Sequence, residues 1–176
     1  MLELALLAVI ATSGQFDTTD AAIGGRVGWR SNPLIGIEAE VTVFPRDFPG
    51  DRPFSQGRVE ALFGLTAGPS FGRLRPFAKF RPGFVTIREA AEPFACILIY
   101  PPPLACVLAI GRTLAAVDAG AGFEVGGSRG VFFRLEGGDR MIRYPGPVLD
   151  AALSRIRDGS FFDHDMRFAL AAGVRF

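Results

Sequence analysis

The sequence predicts an all-β fold of eight antiparallel strands, and three observations carry that prediction. From Met166 to Phe176 the residues alternate strictly. Met166, Phe168, Leu170, Ala172, Val174 and Phe176 fall on one side, and Arg167, Ala169, Ala171, Gly173 and Arg175 on the other. A β-strand sends successive side chains to opposite faces, so one face of this segment is wholly apolar and the other is small or basic. The 22 glycines, 13 prolines and 17 phenylalanines describe many short strands and turns with an aromatic-rich surface. Third, no uninterrupted apolar run reaches the roughly 18 residues of a spanning helix. The nearest, Ala95 to Ile110, is broken by Pro101, Pro102 and Pro103. At 176 residues and a net charge of +1, the chain fits one domain, 1–176, without an electrostatic footprint for nucleic acid.

The elements follow in order. Residues 2–12 form the first strand. Leu4 to Ala11 also suits the core of a secretory signal, but Glu3 stands where a basic region belongs and no A-x-A site follows. The strand reading completes an even count, and it carries the expectation that the true signal peptide is missing from this sequence. The second strand, 20–31, sets Ile23, Val27 and Trp29 against Arg26, Gly28 and Arg30. The third, 34–45, sets Ile35, Ile37, Ala39, Val41 and Val43 against Glu38, Glu40 and Thr42. The fourth, 57–67, sets Val59, Ala61, Phe63 and Leu65 against Arg58, Glu60, Gly64 and Thr66. The fifth, 74–87, is less regular, with Ala78, Phe80 and Phe84 opposite Lys79, Arg81 and Gly83. The sixth, 112–126, sets Val117, Ala119, Ala121, Phe123 and Val125 against Asp118, Gly120, Gly122 and Glu124. The seventh, 130–144, sets Val131, Phe133 and Leu135 against Arg134 and Glu136. The eighth, 162–176, contains the terminal alternation.

Connections alternate in length. Ser31-Asn32-Pro33, Pro69 to Arg73 and Gly127-Ser128-Arg129 are short; Ser13 to Thr19, Arg46 to Gln56, Arg88 to Gly111 and Pro145 to Phe161 are longer. Strands of this length, with short turns on one rim and long loops on the other, match the pattern of a membrane barrel with periplasmic turns and extracellular loops. The alternative is a soluble barrel or sandwich, whose apolar faces would point inward around a core or a ligand cavity. The polar faces decide between them. They carry the acids Glu3, Glu38, Glu40, Glu60, Asp118, Glu124 and Glu136, and the bases Arg26, Arg30, Arg58, Lys79, Arg81, Arg134, Arg167 and Arg175. Near-balanced charges interleaved with Gly and Ala suit a packed lumen, because buried charges persist only when paired and hydrogen-bonded. The expected fold is an up-and-down transmembrane β-barrel.

Three stretches carry a family resemblance: Gly24-Gly25-Arg26-Val27-Gly28-Trp29 running through Asn32-Pro33 into Ile37-Glu38-Ala39-Glu40-Val41, then Phe77-Ala78-Lys79-Phe80-Arg81-Pro82-Gly83-Phe84, and the terminal Phe168 to Phe176. Over essentially its whole length the chain resembles the small eight-stranded outer-membrane barrels of the OmpA transmembrane-domain class. That resemblance implies a place in the bacterial outer membrane, among its lipids and lipopolysaccharide. In such proteins the last strand, here Phe168, Leu170, Val174 and Phe176, is similar to the signal read by the barrel-assembly machinery. The OmpA-type peptidoglycan tether is not carried over. The implied function is a non-enzymatic barrel with a plugged lumen that supports membrane integrity and surface interaction through its loops. A narrow porin-like channel for ions or small solutes is the alternative, and an outer-membrane lipid-modifying enzyme is a third.

Cys96 and Cys106 share the third long loop. In an oxidising space they suit a disulfide, against the alternative of two free thiols. Ile97, Leu98, Ile99 and Tyr100 are unusually apolar for a surface segment and suit either a partner or a self-packed hairpin. His164, the only histidine, is flanked by Asp163 and Asp165. Neighbours along a strand point apart, so a solvated rim residue is expected there, not a metal or catalytic site. In the fourth loop Leu149, Ala152, Leu153 and Ile156 fall at helical spacing before Gly159, which predicts a short amphipathic helix. No nucleotide, zinc or triad signature is present, so no cofactor or metal is expected.

Overall fold

Eight strands form among the described residues, all but the first from alternating apolar and polar residues: β1 (Leu2–Ser13), β2 (Thr18–Arg30), β3 (Ile35–Phe44), β4 (Arg58–Ala67), β5 (Leu74–Ile87), β6 (Arg112–Gly126), β7 (Val131–Asp150) and β8 (Arg155–Arg175), with one short helix, α1 (Leu104–Leu108), before β6. The computed structural model describes residues 1–14, 18–45, 57–89, 104–108, 110–127, 130–150 and 155–176. Each strand pairs antiparallel with the next, and β8 pairs back onto β1 to close the barrel. At the closing edge the Leu2 N–H donates to the Phe176 carbonyl at 3.1 Å and the Phe176 N–H to that of Leu2 at 3.0 Å. Followed around the wall, the pairing leads from Arg30 through Gly36, Thr66, Lys79, Gly120, Gly138, Arg167 and Ala11 to Asp20, ten residues away on the same strand. A stagger of that size obliges the strands to tilt by about 40° to the barrel axis.

The pleat then sorts the side chains. Ile37, Phe63, Phe80, Phe123, Leu135 and Leu170 point outward, with Phe63 60% and Leu170 58% exposed. Together with their neighbours they form an apolar band around the wall, far larger than the patches soluble monomers expose. Trp29, Phe71 and Phe176 edge the band at the short-turn rim, where membrane barrels carry an aromatic girdle. Inward glycines let the coiled strands approach. A Cβ on Gly64 would lie 2.0 Å from the Phe80 carbonyl oxygen, so no other residue fits without moving the wall.

Two apolar clusters complete the interior. Ala5, Leu7, Val9 and Ala11 of β1 face inward against Ala22, Phe44, Phe132, Ala169 and Ala171, so β1 is a wall strand that is apolar on both sides. At the long-loop end α1 inserts Leu108 among Val85, Ile87, Leu114, Ala116, Ile142 and Tyr144, with Leu104 and Phe161 packed alongside.

The fourth long connection and its amphipathic helix are corrected by the structure. β7 and β8 continue as one hairpin, pairing Val148 with Arg157, Leu149 with Ile156 and Asp150 with Arg155. The residues read at helical spacing meet across a ladder instead, at Leu149 and Ile156. A lone helix of about a dozen residues is marginal in water, whereas a ladder already nucleated gains bonds with each added residue. The proposed Cys96–Cys106 pair and the apolar run Ile97 to Tyr100 lie outside the described residues, because Cys96 and residues 97–100 are not among them.

Candidate functional site

Inside the wall, nine carboxylates and nine basic side chains are buried among the described residues. The pleat explains how they come together. Arg26 on β2, Glu38 and Glu40 on β3, Arg58 and Glu60 on β4, Lys79 and Arg81 on β5, Asp118 and Glu124 on β6, Arg134 and Glu136 on β7 and Arg167 on β8 all occupy inward positions. The network has three levels.

At the short-turn end a ring of four forms. Arg30 contacts Glu3 at 2.9 Å and Glu124 at 3.2 Å, and Arg175 contacts Glu3 at 2.9 Å and Glu124 at 2.5 Å. The middle level is organised by Arg81, which is fully buried. Its two terminal nitrogens reach Glu38 at 3.0 Å, Glu40 at 2.8 Å, Asp118 at 2.5 Å and Glu136 at 2.7 Å. Around it Arg26 bridges Glu40 and Glu136, each at 2.6 Å, while Arg134 bridges Glu38 at 2.8 Å and Glu136 at 2.6 Å. Lys79 holds Asp118 at 2.8 Å, and Arg167 joins Glu40 to Glu60, the latter at 3.1 Å. At the third level Arg140 links Glu60 at 2.7 Å to Asp165 at 2.5 Å, and Arg58 faces Asp20 at 3.4 Å.

Aromatic faces shield this network. Arg58 lies 4.0 Å over the Phe44 ring and Arg134 4.0 Å over Phe77, positions where a ring quadrupole attracts a cation. Asp20, Arg75, Arg140 and Asp165 belong to the buried set although the sequence reading did not count them. Each sits on the same parity as a residue that it did count, so the signal was present.

On the outer wall His164 stays exposed and its Nδ1 lies 2.7 Å from Asp139 Oδ2. Its partner is thus on the neighbouring strand, not the adjacent Asp163 or Asp165. Among the described residues no three His, Cys, Asp or Glu side chains gather as a metal site. No helix there is long and apolar enough to cross a membrane, which leaves crossing by strands open.

The barrel fold has a counterpart among solved structures. Neisserial surface protein A superposes with a TM-score of 0.53 at 11% identity, over 99% of this chain and 96% of that one. The fold is that of a small outer-membrane barrel. The barrel is also similar, at TM-scores just under one half, to two others. The N-terminal β-barrel domain of Pseudomonas aeruginosa OprF gives 0.49 at 10% identity over 96% of both chains. Ail, the attachment invasion locus protein of Yersinia pestis, solved with the heparin analogue sucrose octasulfate, gives 0.48 at 13% identity over 99% and 96%. No protein-family model matches the barrel's sequence, and no curated protein matches it.

Proposed function

We propose that the barrel is a non-enzymatic integral protein of the bacterial outer membrane, supporting membrane integrity and meeting its surroundings through the long-loop rim. Its short-turn rim then faces the periplasm and its apolar band the membrane lipids, with lipopolysaccharide on the outer side. The observation that carries the reading is Arg81, fully buried at the centre of the lumen and in contact with four carboxylates drawn from three strands. Eight strands leave an interior just wide enough for side chains to fill, and here those side chains hold one another. Planar-bilayer recordings test it. The barrel should insert without steady open channels; large, sustained openings would establish a narrow porin-like channel and refute the closed lumen.

The proposed partner in assembly is the barrel-assembly machinery, reading Phe168, Leu170, Val174 and Phe176. Phe168, Leu170 and Val174 form an outward row on β8, and Phe176, just past its end, is 72% exposed. Its removal therefore costs little packing. Phe176→Ala, which keeps both backbone hydrogen bonds to Leu2, should lower insertion in cells while leaving refolding into detergent nearly intact. Equal losses in both assays would remove the recognition role.

A further inference from the structure

The outward faces of the strands are apolar almost throughout, and the exception is local. Among the described side chains, ionisable residues point outward from the strands only on β7 and β8, as Asp139, Arg143 and His164. Asp139 and His164 meet at 2.7 Å. They interrupt the apolar band instead of ending it. Asp139 shares its ladder row with Ala119, Phe80 and Leu65, and the exposed Phe162 lies beyond His164 toward the long-loop rim. Ionisable groups on a lipid-facing surface are costly, and they mark functional sites.

The ladder shows what surrounds the pair. Met141 stands opposite His164, and Met166 opposite Asp139. The four residues thus form a square on the outer wall. The His164–Asp139 contact runs along one diagonal, and the two methionines occupy the other corners. Two of the chain's three methionines and its only histidine gather in this one patch. Across a ladder, opposite Cβ atoms lie about 5 Å apart and diagonal ones about 7–8 Å. A thioether on three rotatable bonds spans such gaps.

The chemistry of these groups is complementary. An ionised carboxylate only accepts, so His164 Nδ1 carries its proton toward Asp139 and Nε2 keeps its lone pair. A carboxylate behind the imidazole is the usual support of a histidine that ligates metal through its other nitrogen. One imidazole and two thioethers make a soft set, which suits a cuprous ion and not zinc, calcium or magnesium. Charge agrees. A monovalent cation beside the Asp139 carboxylate leaves the patch neutral, whereas a divalent one would hold net charge against an apolar surface.

We propose that Met141, His164 and Met166 bind a soft monovalent metal ion of the cuprous class, through two Sδ atoms and Nε2, with Asp139 as the positioning carboxylate. The proposal goes beyond the membrane role and requires only the folded wall.

Silver(I), soft, monovalent and stable in its oxidation state, is the probe. Barrel folded in detergent is treated with iodoacetamide to block any free thiol and titrated with silver nitrate in chloride-free buffer. Retained metal is read by native mass spectrometry. One ion should be held per barrel, and equimolar zinc should not displace it. D139N should weaken retention by about tenfold, and M141L, M166L and H164Q by more. F162L, next along the outward row of β8, should leave it unchanged. Folding is checked by the heat-dependent shift of a folded barrel in gel electrophoresis. M141L and M166L decide even if H164Q or D139N disturbs the wall, because Leu and Met are close in volume and polarity. Loss of the shift in the unaltered protein would sink the barrel reading itself. A folded barrel that holds no silver, holds it undiminished in M141L and M166L, or releases it to zinc overturns the metal site alone.

Discussion

Arg81→Met should destabilise the folded barrel by about 3–5 kcal/mol, the usual cost of stranding buried charges by removing their partner. The loss is large because Glu38, Glu40, Asp118 and Glu136 all lean on one guanidinium. Arg26, Lys79, Arg134 and Arg167 compensate in part, and water entering the lumen would reduce the cost further. Arg81→Lys keeps the charge but not the fork, so it should fall between the two. Urea unfolding in lipid vesicles, followed by the fluorescence of Trp29, measures it. Unchanged stability in Arg81→Met would show that the network does not hold the barrel shut.

The second large effect lies on the opposite face. Leu170→Arg should cost about 2–4 kcal/mol in vesicles, because Leu170 sits near the middle of the outward band, whereas Val174→Arg, close to the short-turn rim, should cost about 0–1. A water-facing wall predicts something quite different: both changes would stay within about 0.5 kcal/mol, as surface substitutions usually do. The comparison therefore reads depth, not tolerance. A flat response at the two positions would return the soluble-barrel alternative.

Parity made most of this legible in the sequence. Once Phe63 is assigned outward, Glu60 and Arg58 must point in, and the same step places Arg134 and Glu136 opposite Leu135. β1 resisted that reading because Leu7 and Val9 are as apolar as Leu6 and Ile10 around them, so a strand and a signal core look alike there. Asp165 and Arg140 were obscured by their neighbours. A segment carrying Asp163, His164 and Asp165 reads as a rim until the ladder is seen to run through it. The partners themselves were beyond reach. Arg81 meets Glu38 across the lumen from two strands away, and Arg167 meets Glu40 from β8 to β3; such pairs depend on stagger and diameter, which no local pattern encodes. The hairpin beyond Tyr144 failed for a related reason, since helical spacing and ladder pairing both place Leu149 near Ile156.

The two-sided apolar character of β1 has a kinetic meaning. Its ladder with β8 joins Glu3 to Arg175 and is the most non-local pairing in the chain, the step that loop-closure entropy delays most. Of the buried charges β1 supplies only Glu3; the others come from β2 to β8. Ions on neighbouring strands, such as Arg140 on β7 and Asp165 on β8, can thus find their mates while the ring is still open. What remains for the final zippering is a greasy strip, which slides into register without first breaking a salt bridge.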